Sequence, residues 1–419
     1  MSKFLVGVAV ATALAASSHA QVTRGRLIGF ASDSASTLPP HILQQAVCNP
    51  GNRVCPSPLP APAVAYAGGA AYSAFNRSVW HTQGTRIVET GVDSCQLVCA
   101  VAANLVLGPG SVATGLEVCE SRYEMLQLES VPGAAALSTW HIRSCPPAVI
   151  GACRIQLPSP QHVAGAVALD ERHGLVLYAT SIFGAVLPAN QVLVARDTDP
   201  CTIVCRFDAP GCGNLARLGA ITGMAYDACD QLLYLTDGSQ TAIYSNRVGT
   251  TPCDFQAVGC CGRSPGLGGF VWHGLDVEPR HPLAVGASCV GRGCPNCAAM
   301  ALSAAGDPAV GNPRFAIELS NAPTNGFFQL GLAAGPCRPV GLPIFCGSWH
   351  TDLATLVLLP FVSISGNAIC DGAATIGLPI PKDYALCGAA LCAQGIVICA
   401  PVSLPPAVGL TNALELVID

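Results

Sequence analysis

The chain carries little charge. Lys, Arg, Asp and Glu make up 11% of its 419 residues, and the formal net charge is −5. Soluble domains ordinarily hold about 25% charged residues. No basic stretch is available to neutralise phosphates, which excludes nucleic acid as a partner. Beyond residue 20 the chain also lacks an apolar run of the roughly 18 residues that a membrane-spanning helix needs. Its longest candidate, "TLVLLPFVSI" at 355–364, holds Pro360 and reads as a core strand. A Gly-rich phosphate loop, His-Glu-x-x-His and Gly-x-Ser-x-Gly are all missing. Their absence removes the nucleotide, zinc-protease and serine-hydrolase readings that depend on them.

What is abundant is glycine (44), proline (33) and cysteine (23). The first two suit many short strands joined by tight turns. The opening "MSKFLVGVAVATALAASSHA", residues 1–20, has the form of a secretory signal. Lys3 precedes an apolar run, and Ser18-His19-Ala20 is a small-residue cleavage pattern. Export implies a secreted or cell-surface location, the periplasm included, with cysteines paired as disulfides. An odd count leaves at least one thiol over.

A repeat organises the sequence. "TGMAYDACDQLLYLTDG" at 222–238 aligns without a gap on "GGAAYSAFNRSVWHTQG" at 68–84. Weaker copies begin near Thr114, Ala164 and His273. The leading glycines Gly69, Gly115, Gly165, Gly223 and Gly274 recur every ~50 residues. Each copy reads as a short strand, a polar turn, an alternating strand such as "LVLYAT", then a third strand and a cysteine-bearing hairpin. Four strands per repeat of this length predict a β-propeller. The fifth copy runs short of strands. "RGRLIGFASDS" and "HILQQAVC", ahead of the first copy, could supply them and so close the last blade.

The expected fold is therefore all-β: a five-bladed β-propeller at 21–300, a linker at 301–311 and a C-terminal β-sandwich at 312–419. The sandwich expectation rests on short strands broken by Gly and Pro. Cysteines follow the third strand of successive repeats: Cys95 and Cys99, Cys145 and Cys153, Cys201 and Cys205, Cys253 and Cys260. The simple pairing pins the outer hairpin of each blade. Cys212 and Cys261 compete as partners, so connectivity stays open. Cys289, Cys294 and Cys297 form a tighter cluster. Three thiols fall short of the four ligands of a structural zinc. They read as disulfides tying the last blade or the interdomain link.

The C-terminal run adds a resemblance. It is carried by Gly306, Asp307, Pro308, Gly311, Asn312, Phe315, Leu378, Pro379, Ile380, Pro381, Asp383, Gln394, Thr411, Asn412, Ala413 and Leu414. This pattern resembles the tail domain of a group of planctomycete-type secreted proteins. There it follows a signal peptide and repeat-rich or β-rich regions. The resemblance implies export and surface display, and it hands over no catalytic residue.

Acidic residues near the first strands of the repeats are Glu117, Asp170, Asp227, Asp276 and Glu278. Their offsets from the leading glycines differ, so they do not form one ring on one face. Asp170 and Asp227 read as turn residues, and His173 and His281 as solvated turn histidines. All four tryptophans precede a histidine, at Trp80, Trp140, Trp272 and Trp349, yet they fall at unlike positions of the repeats. The sequence asks for no cofactor or metal. Its functional expectation is a non-enzymatic extracellular binding, adhesion or structural module whose ligand is a glycan or a surface protein. The alternative is a secreted propeller hydrolase or lyase acting on carbohydrate through carboxylates such as Asp227 and Asp276.

Overall fold

The computed structural model describes residues 26–33, 41–46, 52–56, 68–83, 85–182, 189–211, 218–246, 251–261, 270–291, 294–340, 346–399 and 407–419. The signal reading at 1–20 lies outside them. The chain divides into two compact units, one spanning Gly25–Glu278 and one holding Pro279–Asp419. Among the described residues there is no α-helix, and no helix is long and apolar enough to cross a membrane.

In the first unit, β1 (Arg26–Asp33), β2 (His41–Ala46) and β3 (Asn52–Pro56) come first in the chain. Next are β4 (Ala70–Ser73), β5 (Ser78–Gln83), β6 (Arg86–Gly91) and β7 (Leu97–Ala102). β8 (Val112–Cys119), β9 (Glu124–Val131), β10 (Ala134–His141) and β11 (Ala148–Gln156) follow. Then come β12 (His162–Asp170), β13 (Leu175–Ile182), β14 (Asn190–Arg196) and β15 (Asp199–Asp208). The last are β16 (Gly223–Asp227), β17 (Leu232–Thr236), β18 (Thr241–Ser245), β19 (Gln256–Cys261) and β20 (Phe270–Glu278). Among the described residues these make five four-stranded antiparallel sheets. Four run in simple chain order, and the fifth has the order β20-β1-β2-β3. In that sheet Leu27 lies opposite Val277 and Ile28 opposite Asp276.

The near-continuous apolar strands have a direct cause. Successive side chains of a strand face opposite ways. On β13, Leu175, Leu177 and Ala179 join one buried cluster with β16 and β17, while Val176 and Tyr178 join another with β9 and β10. β14 divides likewise, Val192 and Val194 against Leu193 and Ala195. Sheets buried on both faces leave few positions for charge, which accounts for the lean charged fraction.

The leading glycines mark where first strands touch. A Cβ on Gly69 would lie 2.5 Å from the carbonyl carbon of Gly115, and one on Gly115 would lie 2.8 Å from the Val167 nitrogen. A Cβ on Gly165 would collide with the Ile221 carbonyl, just ahead of β16. On Gly223 it would come within 3.1 Å of Gly274, and on Gly274 it would strike the Ala70 backbone. Each first strand therefore abuts the next, and β20 abuts β4.

The second unit comprises β21 (Leu283–Val285), β22 (Cys289–Val290), β23 (Ala301–Ala305), β24 (Ala316–Ala322) and β25 (Phe327–Ala334). It continues with β26 (Val357–Leu358), β27 (Val362–Ser363), β28 (Gly372–Gly377), β29 (Ala390–Ile398) and β30 (Val408–Val417). One sheet has the order β21-β30-β29-β25-β26, with β22 also on β30 and β27 on β25; the other is β23-β24-β28. Leu302, Ile317 and Leu319 of the smaller sheet share one core with Phe328, Leu330, Val397 and Leu414 of the larger. Residues 301–311, read from the sequence as a linker, hold β23, which pairs with β24 along its full length. The unit begins before them, because β21 and β22 find their hydrogen-bond partners on β30.

The glycine contacts give a sharp expectation. Gly274→Ala, which forces a methyl into the β4 backbone, should lower the melting temperature by roughly 5–10 °C, as overpacking in a unit of this size implies. Gly151→Ala on β11, where a Cβ meets nothing within 4 Å, should leave it unchanged. Thermal denaturation of both variants followed by circular dichroism checks the contrast.

Candidate functional site

Buried carboxyls gather where the first strands end. β8 runs out through Glu117 to Glu120, β12 through Asp170 to Glu171, and β20 through Asp276 to Glu278. Asp276 Oδ2 accepts the Tyr72 N–H at 2.5 Å, and its Oδ1 accepts the Val277 N–H at 2.7 Å. Glu120 Oε1 accepts the Ala74 N–H at 2.6 Å. These bonds tie the end of β20 to β4 and the end of β8 to the turn after it.

Burial dominates the electrostatics. It pushes Asp276 up to about 7 despite the two backbone donors. Glu117 is pushed well above the carboxylate range by burial first and by the Asp276 charge second. Glu120 is raised by burial and by Glu171, against its backbone donors. Glu117 Oε2 has no hydrogen-bond partner among the described residues, as suits a neutral acid. The cluster can hold protons near neutral pH, but Glu117 and Asp276 are only 8% and 7% exposed, so a polymeric substrate has little access to them. Cys119 beside them is the free thiol among the described residues, and burial pushes it up to about 12.

The other predicted acids serve the fold. Asp227 Oδ1 accepts the Asp230 N–H and so closes the turn into β17. Asp170, fully buried, accepts the His173 N–H and faces His173 Nδ1 at 2.7 Å. Glu278 accepts from Gln44 Nε2 of β2. His173 and His281 are not merely solvated: His281 Nδ1 sits 2.8 Å from the buried Asp307. Each histidine offers a buried carboxylate its counter-group.

The tryptophan–histidine pairs are structural and unlike one another. Trp80 and Trp140 share one apolar cluster. His81, on the opposite face from Trp80, is fully buried against Thr90 Oγ1 at 3.3 Å, and burial pushes it down to about 3. His273 on β20 falls to about 4 for the same reason. Trp349 and His350 belong to the other unit.

The cysteines depart from the hairpin pairing. Cys99 bonds Cys145, Cys153 bonds Cys201, and Cys205 bonds Cys253. Each bond joins one sheet to the next. Cys201 and Cys205 show why: both lie on β15, and four residues of extended strand span roughly 13 Å, well beyond the ~7 Å limit for disulfide Cα atoms. Cys95 and Cys260 are also disulfide-bonded. The cluster Cys289, Cys294 and Cys297 bonds Cys346, Cys399 and Cys370 respectively. All three bonds lie inside the second unit, so they tie neither the last sheet of the first unit nor a link between units.

Five of the residues that carry the tail resemblance, Asp307, Asn312, Gln394, Thr411 and Asn412, are buried and polar. Asn412 on β30 reaches across to β23: its Oδ1 accepts the Leu302 N–H at 2.7 Å, and its Nδ2 donates to the Leu302 carbonyl at 3.0 Å. Gln394 accepts the His350 N–H and donates to the Ser348 and Thr411 carbonyls. Asn312 donates to the Asp307 carbonyl at 2.8 Å. These side chains satisfy backbone groups that would otherwise be orphaned in the core.

No family model and no curated protein matches the chain. Solved structures resemble it distantly. A nidogen/laminin complex is 12% identical with a TM-score of 0.34, covering 57% of this chain and 76% of that one. Hydrazine synthase of Kuenenia stuttgartiensis is 10% identical with a TM-score of 0.35, covering 60% and 92%. A protein from Lactobacillus plantarum is 11% identical with a TM-score of 0.32, covering 94% and 97%. Likeness at this level carries no inference about function.

The acid cluster predicts a pH dependence. In the unfolded chain Asp276 titrates near its ordinary ~3.9, whereas in the fold it titrates near 7. Between these values the folded state keeps a proton that the unfolded state has lost, so stability falls as pH rises through this window. The buried His81 and the half-buried His273 slope the other way, losing stability as pH falls below about 6.5. Asp276→Asn removes the first effect and leaves that of the histidines in place. The melting temperature of the variant relative to wild type should therefore rise between pH 5 and pH 8. A difference that does not change with pH would mean that Asp276 titrates as an ordinary surface acid.

Proposed function

We propose that the chain is an exported, non-enzymatic extracellular module for binding, adhesion or surface structure, built as a five-bladed β-propeller followed by a β-sandwich. The observation that carries the reading is the row of three disulfides joining successive sheets, Cys99–Cys145, Cys153–Cys201 and Cys205–Cys253. Bonds of this kind form and persist in an oxidising compartment. The cyclic contacts of the five leading glycines support the propeller, since each first strand abuts the next and β20 abuts β4. The tail resemblance to planctomycete-type secreted proteins agrees with export and surface display. The outermost strands leave large apolar side chains exposed: Leu97 and Val98 on β7, Val149 and Ile150 on β11, Val204 on β15 and Val258 on β19. Apolar surface repeated on successive sheets suits a glycan or a surface protein as ligand.

The second reading, a carbohydrate hydrolase or lyase, is favoured by one feature. Asp276, held up to about 7 beside Glu117, has the pKa of a general acid at neutral pH. The burial of both groups argues against it. An array of glycans and matrix proteins probed with residues 21–419 tests the two together. The binding reading expects saturable capture by at least one ligand class, unchanged by Asp276→Asn. Turnover of a polysaccharide that Asp276→Asn abolishes, without retained binding, would replace it with the enzymatic reading.

A further inference from the structure

The loop after β23 holds one peptide bond in a setting that no other described residue shares. Gly306, in the left-handed region at φ 78°, turns the chain into Asp307 and Pro308. The Asp307 carbonyl oxygen accepts two hydrogen bonds, one from the Ala309 N–H at 2.8 Å and one from Asn312 Nδ2 at 2.8 Å. Asn312 is fully buried, and its Oδ1 accepts the Arg314 N–H, which fixes the amide in this direction. The Asp307 side chain is fully buried as well, and its Oδ1 lies 2.8 Å from His281 Nδ1. The His281 side chain is 26% exposed, so it links the buried carboxyl to solvent.

One residue thus combines a carboxyl, a carbonyl held by two donors and an imidazole partner. Two N–H donors on one carbonyl oxygen are the arrangement that stabilises a tetrahedral oxyanion. Attack of the carboxyl on the carbonyl carbon of its own residue closes a five-membered ring. Well-oriented intramolecular attack gains an effective molarity of roughly 10⁵–10⁸ M. Proline makes the following amide tertiary, and its nitrogen carries no N–H to tie it into the fold.

We propose that the chain cleaves itself between Asp307 and Pro308. Asp307 Oδ2 bonds to the Asp307 carbonyl carbon, and the carbonyl oxygen takes the negative charge beneath the Ala309 and Asn312 donors. The carbon–nitrogen bond then breaks. Its electron pair stays on the Pro308 nitrogen, which takes the proton that protonated His281 shared with Asp307. A cyclic anhydride at Asp307, a neutral imidazole and a new amino terminus at Pro308 result. Water opens the anhydride to two carboxyls, and an amine that arrives first is acylated instead. The reaction runs once, on the chain itself, and does not rest on the binding reading.

The fold holds the two pieces together afterwards. Cys289–Cys346, Cys294–Cys399 and Cys297–Cys370 each span the broken bond. β23 remains paired with β24, and Asn412 remains bonded to Leu302. The cut is therefore silent until the disulfides are reduced.

The exported protein, kept at pH 7, is reduced, separated under denaturing conditions and sequenced from the amino end of each piece. A piece beginning Pro308-Ala309-Val310 is expected. With hydroxylamine present during the reaction, the other piece should end in a hydroxamate at Asp307. Asn312→Ala should slow the cut about 100-fold, the usual cost of one oxyanion donor. His281→Gln, which keeps a donor to the carboxyl but no transferable proton, should slow it too. Asp199–Pro200, the second Asp–Pro bond of the chain, serves as the internal control and should stay whole. A reduced wild-type chain that remains intact would overturn the proposal, whether or not either variant folds. Equal cutting at Asp199–Pro200, or equal cutting of the chain unfolded in urea, would overturn it too, because ordinary Asp–Pro lability would then suffice.

Discussion

Five glycines allow five strands to meet backbone to backbone, and the rest of the first unit depends on that approach. At Gly69, Gly115, Gly165 and Gly274 a methyl group would overlap the neighbouring backbone, and at Gly223 it would press within 3.1 Å of Gly274. The first strands can therefore pack closer than side chains normally permit. Neighbouring sheets then pack against one another through apolar side chains on both faces. Apolar clusters lie between β4–β7 and β8–β11, between β8–β11 and β12–β15, and between β12–β15 and β16–β19. The low charge of the sequence, its glycine content and its alternating apolar strands follow from one geometric demand.

The same approach has an electrostatic consequence. Crowding the ends of the first strands together buries Glu117, Glu120 and Asp276 where water cannot solvate their charge. These acids hold their protons at pH values where surface carboxyls have lost them. Histidines make the opposite adjustment, the buried His81 and the half-buried His273 remaining neutral. At the fourth strands, disulfides add covalent contact between neighbouring sheets. Unpaired edge strands are a hazard for aggregation. Cysteines on the edge strands β7, β11 and β15 bond each of them to the next sheet.

Some of this was legible in the sequence. The four-stranded sheets were, because a leading glycine, a turn and an alternating strand recur along the sequence. The glycines stood out as markers, but their reason did not, since a close approach of backbones far apart in the chain leaves no local trace. Pairing of the cysteines was left open, because Cys201 and Cys205 are neighbours in sequence and invite a hairpin bond. Strand rise keeps them apart in space, and the step from one sheet to the next lies outside any local window. Linker-like composition hid β23, whose small residues Ala301 and Ala304 pair with β24. His281 looked solvated because its partner, Asp307, lies in that same misread stretch. Histidine follows tryptophan four times, and no single physical cause covers all four pairs.

The central claim is that the first unit closes on itself through β1 and β20. Native-state amide hydrogen exchange on the β1 segment, Leu27 to Gly29, measures this directly. The account predicts that these amides exchange as slowly as those of β13, which is buried on both faces, because releasing β1 requires opening the whole unit. Exchange there at the rate of an unstructured chain, with β13 still protected, would contradict it.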